Sequence, residues 1–404
     1  MSVNVTRVFH GFVAVHFFLN GLLPVYIPVV LYQHGYNLAA IAGYISISAV
    51  GFLLALRLWQ YIFLARGLWP IFIISFAAQA CLIAVTLTLF RIDYLVVYVI
   101  SALLYGAVNC LLWTSQRTLF IAVLRQKNTP CGLPPTGRLL GNFQIVTVLA
   151  IKLGLLVGAF LIAKNALLLV ATLALGVAIS SVIVLALIVP RSKLHAQQLL
   201  GQNAVPAVAH LGWKKMLGYR DLHHSRLMFY IDGLFLFAES FFWVFSLYLL
   251  SHEDIQQLSI LLVTVGILLG FVFWLLKNRI DHIDPQKIYL TAVLCYSMSW
   301  VLRATMDVNY SLVITNFSIL VIAFATAFFR LCFNKRMFDN AHAGAVLTYL
   351  LAKTYASQVG LMLMYGALAL ALYSGWLGAL GLQGIYWCLA ILALAYGVYK
   401  LKAS

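Results

Sequence analysis

The sequence predicts an all-α membrane protein: twelve transmembrane helices in two pseudo-symmetric six-helix bundles, with both termini in the cytoplasm. Three observations carry that expectation. Hydrophobic residues make up 64% of the 404 positions and charged ones 9%, and the mean hydropathy is +1.00, far outside the soluble globular range. The apolar residues run in stretches of roughly 20 to 30, enough to cross a bilayer core about 30 Å thick. The Lys and Arg residues collect at alternate gaps between those stretches.

Cutting at polar and Pro/Gly-rich breaks, such as Gln33-HGYN, Gln126-KNTPCGLPPTGR and Lys277-NRIDHIDPQK, places the spans in order. The first six are 8–32, 39–63, 68–90, 94–120, 139–163 and 166–189. The second six are 227–250, 257–276, 287–305, 311–331, 343–372 and 376–398. A polar, basic connector at 190–226 separates a bundle at 1–189 from a bundle at 227–404. Within the connector, Val205-PAVAHLGWKKMLGYRDLHHSRL interleaves aromatic and basic residues, as an amphipathic segment lying on the cytoplasmic surface would.

Charge sets the orientation. With the N-terminus inside, eighteen Lys and Arg residues fall in inner segments and only Arg91 and Lys164 in outer loops. The net charge of +16 would suggest nucleic acid in a soluble protein, but positives at span ends are a membrane-orientation pattern, so no nucleic-acid partner is expected. Arg7 precedes a run too long for a signal-peptide core, without a small-residue cleavage site, so no cleavable signal is expected. Cys81, Cys110, Cys131, Cys295, Cys332 and Cys388 lie mostly in apolar segments with no metal or disulfide-framework spacing. No cofactor or metal is expected. No G-x4-G-K-[ST] loop is present, so the chain has no ATP motor of its own.

The halves repeat. Gly51-FLLALRL-Trp59 and Gly266-ILLGFVF-Trp274 both read G-x-L-L-x4-W, 215 residues apart. Ala150-x3-Gly154-Leu155 aligns with Ala356-x3-Gly360-Leu361, 206 residues apart. Internal duplication is a common transporter device that places a site between the repeats.

On these residues the chain resembles the major facilitator superfamily over nearly its whole length. Leu22-LPVYIPVVLYQHGYNLAAIAGYISISAVGFLLAL, with Pro24, Pro28 and Gly35, is similar to that family's first two helices. Gly137-RLLGNFQIVTVLAIKLGLLVGAFLI is similar to its fifth. The loop Trp59-QYIFLARGLWP departs: Arg66 and Gly67 remain, while Gln60 and Leu64 stand where the family has Gly and Asp. Lys277-NRIDHIDPQK keeps an Arg279/Asp281 pair in altered order. The resemblance implies gating roles for Arg57, Arg66, Arg279 and Asp281, and a central cavity lined by the first, fourth, seventh and tenth helices.

Charged residues at membrane depth are expensive and are retained mainly where they face a partner or a watery path. Asp232 and Glu239 fall in the otherwise apolar span seven; seven residues at 100° each is 700°, so they share one face. Glu239, near the span's middle, is either a proton carrier or half of a static Glu–Lys or Glu–Arg bridge, with Lys152 or Lys353 as bases it could face. Asp232 is expected nearer the cytoplasmic mouth, latched to a basic gate residue. Lys152 and Lys353, deep in spans five and eleven, the latter flanked by Tyr349 and Ser357, are candidate substrate ligands. Asn109, Trp113, Gln116 and Arg117 form a polar stripe on span four, facing a pore or anchoring at an interface. His16 and Asn20 share a face of span one and serve either substrate contact or helix packing. Arg330 reads as snorkelling from an inner helix end, and Arg303 as paired with Asp307 near the outer surface.

The expected function is a secondary transporter moving an anionic or zwitterionic organic solute by alternating access, coupled to protons through Glu239. It would work as a monomer in a bacterial cytoplasmic (inner) membrane. The alternatives are efflux of amphipathic drugs or metabolites, which 14% aromatic content would suit, and an intramembrane transferase, for which no H-E-x-x-H or large extramembrane loop speaks.

Overall fold

A computed structural model describes residues 5–89, 94–126, 136–164, 166–189, 194–195, 199, 212–221, 223–276, 284–307, 310–342, 346–375 and 381–400. Among these, every regular element is helical. The first half runs α1 Val5–Leu22, α2 Ile27–Gln33, α3 Leu38–Arg66, α4 Leu68–Leu89, α5 Leu95–Gln126, α6 Thr136–Ala163 and α7 Leu167–Ile188. A short α8 Trp213–Leu217 lies in the connector. The second half runs α9 Ser225–Phe237, α10 Trp243–Leu250, α11 Ile255–Leu276, α12 Pro285–Thr305, α13 Leu312–His342, α14 Val346–Tyr373 and α15 Gly381–Ala393, ending in a 3-10 turn.

Among the described residues, ten helical stretches are long and apolar enough to cross a membrane, or eleven with the bent α1–α2 pair counted as one span. That pair turns by 46° where Pro24 and Pro28 each remove a backbone donor from the ladder. α12 is helical for 21 residues but outside that set; its Tyr, Ser and Arg residues lower its hydropathy. Leu54, Leu168, Leu187, Val313 and Leu370 lie exposed on the outer faces, as lipid-facing side chains do. The chain is an integral membrane protein.

Glycines set the closest helix contacts. Lipid is as apolar as leucine, so helices in it associate through close packing over small residues. Gly154 of α6 lies against the Phe18 backbone of α1, and Gly360 of α14 against the Tyr230 backbone of α9; a Cβ at either would collide. The aligned glycines of the repeat thus do the same work in each half. Gly51 and Gly266 do not: Gly51 meets Leu103 of α5 within its own half, whereas Gly266 meets the side chain of Lys152 on α6, across the halves.

The halves meet along two seams, α3 against α14 and α6 against α11. At the end carrying the α2–α3 turn, hydrogen bonds close the space between them. Tyr26 OH bonds Ser259 Oγ at 2.5 Å and donates to the Leu155 carbonyl at 3.3 Å. Gln33 Nε2 donates to Tyr248 OH at 2.9 Å. At the connector end, the Phe120 and Phe338 rings pack across the halves at 4.6 Å.

Span boundaries moved where polar residues bond laterally. α13 runs to His342 instead of stopping at 331. The polar stretch beyond is built into the helix: Arg336 donates to the carbonyls of Tyr399 at 2.7 Å and Pro285 at 2.8 Å, and Asn340 to that of Lys400 at 3.1 Å. α5 likewise continues past 120 to Gln126. Of the connector's amphipathic segment, residues 205–211 and Leu222 lie outside the described residues; α8 packs on α14 through buried Met216.

Candidate functional site

The span that begins at Ser225 is not a regular α-helix throughout. A π-turn at Ala238–Phe242 joins α9 to α10 and carries Glu239, a single-turn widening of the kind that recurs at functional sites. Asp232 lies two turns earlier on α9. Both carboxylates reach one guanidinium. Arg330 of α13 donates Nη1 to Asp232 Oδ1 at 2.6 Å, Nη2 to Glu239 Oε1 at 2.9 Å and Nε to Glu239 Oε2 at 3.1 Å. The shared face read from the spacing is therefore occupied by a shared partner.

Further groups complete the network. Lys353 Nζ of α14 pairs with Asp232 Oδ2 at 2.8 Å. Tyr396 OH donates to Asp232 Oδ1 at 3.2 Å, and Tyr296 OH donates to Glu239 Oε1. The guanidinium of Arg330 lies 5.7 Å from the ring centroids of both Tyr296 and Phe329. Two acids and two bases thus cancel within one hydrogen-bonded cluster, which is how charges are tolerated away from water.

This cluster forms part of the wall of a cavity of about 400 Å³ between the halves, within the size range of small-molecule sites. The stripe on α5 faces it: Asn109, Trp113, Gln116 and Arg117 all line the space. Trp113 Nε1 donates to Asn109 Oδ1 at 3.3 Å, and Asn109 Nδ2 to the Tyr105 carbonyl at 2.9 Å. Arg117 Nη1 donates to Thr354 Oγ1 at 3.0 Å, beside Lys353 in the chain. Asn20, Lys152 and Lys353 also line the cavity, with apolar walls from Phe17, Phe143 and Phe237.

Several expectations are corrected. Asp232 is the more buried acid, its side chain 1% exposed against 15% for Glu239, so it is no latch at a mouth. Glu239 pairs with Arg330 rather than with either lysine. Lys152 has no carboxylate partner among the described residues. His16 turns away from the cavity: its Nε2 bonds Ser75 Oγ of α4 at 2.8 Å, and its ring stacks on Phe76 at 4.5 Å. Tyr349 is buried off the cavity, its hydroxyl bonded to Ser225 Oγ at 2.9 Å and Tyr399 OH at 2.5 Å. Arg57 and Arg66 are exposed on α3, away from the cavity wall. Arg279 and Asp281 lie outside the described residues. Arg303 is buried rather than superficial; Ser299 and Thr326 accept from it at 2.8 and 2.7 Å, and its guanidinium lies over Trp300 at 4.2 Å.

Arg330 is the site residue that sequence pattern hides most, because it lies one residue before the end of the apolar run of span ten. Its signal was present: Arg330, Asn334 and Met337 recur at helical spacing and all line the cavity. Thr147 and Gln358 were also passed over. Both line the cavity, and Thr147 Oγ1 and Gln358 Oε1 are buried without a hydrogen-bond partner. Among the described residues no group of His, Cys, Asp and Glu is arranged to hold a metal ion.

Solved structures share this fold. The crystal structure of the human organic anion transporter MFSD10 matches with a TM-score of 0.64 at 18% identity, covering 98% of this chain and 99% of that one. The chain has the major facilitator fold. A nucleoside transporter, NupG (D323A mutant), matches with a TM-score of 0.65 at 13% identity over 98% of this chain and 100% of that one. The proton:xylose symporter XylE matches at 0.62 and 15% identity, over 97% and 94%. No family model and no curated protein matches the sequence. At these identities the likeness is one of fold, and the facilitator proteins that share it are transporters, not enzymes.

Proposed function

We propose that this protein is a secondary transporter that carries an organic anion by alternating access, with protons taken up at Glu239 as the driving ion. The observation that carries the reading is the charge on the cavity wall. Asp232, Glu239, Arg330 and Lys353 are paired with one another, which leaves Arg117 and Lys152 facing the same space with no carboxylate in ion-pair contact among the described residues. Uncompensated cations in a desolvated site favour a ligand that brings negative charge. A zwitterion with an accessible carboxylate satisfies the same requirement. The aromatic walls suit an organic body, and MFSD10, of the same fold, is described as an organic anion transporter.

Proton coupling is supported by the position of Glu239. It is the more exposed of the two acids on the cavity wall, 15% against 1% for Asp232, and both its oxygens are held by Arg330 and Tyr296. Taking up a proton there requires releasing Arg330, which keeps Asp232 as a partner. Protonation therefore changes the cavity's charge without stranding the guanidinium. XylE, with the same fold, is described as a proton symporter. The architecture that this reading uses is twelve spans in bundles at 1–189 and 227–404, joined by the cytoplasmic connector 190–226, with both termini cytoplasmic. The setting proposed is a bacterial inner membrane, with one chain sufficient. Efflux of amphipathic drugs or metabolites fits the aromatic walls, but Arg117 and Lys152 on the same wall disfavour a cationic one.

The experiment is uptake into proteoliposomes with an imposed inward proton gradient, across anions, zwitterions, neutral sugars and cationic dyes, for wild type and Glu239→Gln. The expected result is gradient-driven accumulation of anions by wild type only. Gradient-driven accumulation that survives Glu239→Gln would remove the coupling role, and uptake confined to neutral or cationic solutes would remove the anion.

A further inference from the structure

α11 presents two opposite faces. Turning about 100° per residue from Gln257, the side chains of Ile260, Thr264 and Leu268 stay within about 60° of it, whereas Ser259, Leu262 and Gly266 fall about 140–200° away. The latter three belong to the seam between the halves: Ser259 bonds Tyr26 OH at 2.5 Å, Leu262 lines the central cavity and Gly266 meets Lys152. The face of Gln257 lines a separate space of about 550 Å³ between α11 and α13. These two helices lean on each other only lightly, while α11 packs closely along α6. Ile260, Leu268 and Phe317 along this space are 61%, 44% and 66% exposed, so it is a groove open to the lipid-facing surface.

The groove is graded in polarity. At the end carrying the α10–α11 turn its lining includes Ser251, His252, Gln257 and Asn316; further in it is apolar, with Leu261, Val265, Leu268 and Leu320. Thr264 adds no free polar group there, because its hydroxyl donates to the Ile260 carbonyl of its own helix at 2.8 Å. From Gln257 to Leu268 the helix advances about 16 Å, close to one leaflet of a hydrocarbon core about 30 Å thick. Water gains little on such an apolar floor, whereas an acyl chain restores the missing dispersion contacts. Among the described residues no Lys or Arg lines the groove, and the turn beside its polar end carries Glu253 and Asp254.

We infer that this groove is a phospholipid site, which takes one acyl chain between α11 and α13 and a zwitterionic ethanolamine headgroup at its polar end. Charge selects the headgroup. An ethanolamine ammonium meets the carboxylates of Glu253 and Asp254, whereas an anionic glycerol headgroup meets the same acids with no Lys or Arg to offset them. His252, Gln257 and Asn316 supply N–H donors for phosphate and ester oxygens. The bound chain braces α11 from behind, opposite the face that bonds Tyr26 and borders Lys152. Lipid in the groove therefore supports the helix on which the seam between the halves depends.

The test is native mass spectrometry of the purified full chain, equilibrated with detergent micelles holding equal amounts of palmitoyl-oleoyl phosphatidylethanolamine and phosphatidylglycerol. One phospholipid should stay bound at collision energies that strip the rest. The ethanolamine lipid should be favoured about two- to fivefold, the ratio that one exposed ion pair produces. Thr264→Trp and, one turn further in, Leu268→Trp each place an indole in the groove and should lower that retention several-fold. Ile183→Trp, on the exposed face of α7, should leave it unchanged. All three replace exposed side chains, so their melting midpoints should match wild type. Retention in the two groove variants equal to wild type would mean annular lipid only and would overturn the site. Retention lost in them but without preference between the two lipids would overturn the ethanolamine assignment.

Discussion

Arg330 grips Glu239 side-on, Nε to Oε2 at 3.1 Å and Nη2 to Oε1 at 2.9 Å, while its remaining terminal nitrogen reaches Asp232 at 2.6 Å. One planar group therefore holds two acids from a single helix. Lysine offers a point charge without that fork. Arg330→Lys is expected to lower the thermal midpoint in detergent, and Arg330→Ala to lower it further, since removing one partner of a buried ion pair costs about 3–5 kcal/mol. Equal midpoints for all three proteins would deny the cluster a structural role.

Lys353 and Asp232 are the most buried ion pair, with side chains 3% and 1% exposed. Lys353→Met leaves Asp232 short of one partner, and Asp232→Asn leaves Lys353 without its acid. The double variant should be more stable than the sum of the single losses allows, with a coupling energy of about 1–3 kcal/mol in a double-mutant cycle. Simple additivity would mean that the two charges do not interact in the membrane.

Two glycines separate packing from positioning. At Gly106 a Cβ would press on the Ser48 carbonyl of α3, so Gly106→Ala must push two helices apart and is expected to cost roughly 1–3 kcal/mol. At Gly266 the nearest atoms that the Cβ would meet belong to the flexible stem of Lys152. Gly266→Ala should therefore keep its melting midpoint, with stability within about 0.5 kcal/mol of wild type, while half-saturation for anion uptake rises several-fold. An unchanged half-saturation would mean that the ammonium of Lys152 does not meet the substrate.

Much of this site was legible in the chain, and the reasons differ residue by residue. The common face of Asp232 and Glu239 followed from helical spacing alone, and both reach Arg330. The stripe from Asn109 to Arg117 likewise follows one face of α5, and that face lines the cavity. Gly154 and Gly360, matched by an internal repeat, occupy equivalent contacts. Periodicity cannot show which side chain an apolar helix hides behind a neighbour, so His16 was grouped with Asn20 although it bonds Ser75. Arg330 reads as a helix-end residue because the polar run after it has the composition of a loop, and lateral bonds such as Arg336 to Tyr399 are invisible in one dimension.

Topology makes a separate prediction. Lys164 closes α6 and Lys215 lies in α8 of the connector. Lys164→Cys should react with a membrane-impermeant maleimide in intact cells, and Lys215→Cys only after permeabilisation, each in a background without native cysteines. Labelling of both from the same side would contradict an odd number of crossings between them.

The central claim is that Arg117 and Lys152 form the anion-binding side of the cavity, and it is tested most directly by calorimetric titration of purified protein. The titrants are an organic anion that wild type transports and its neutral amide analogue. Hydrogen bonds to charged groups contribute about 1.5–3 kcal/mol each, so Arg117→Gln/Lys152→Gln should lose about 100-fold or more in anion affinity. The amide's affinity should be unchanged. Anion affinity retained in the double variant would contradict the account.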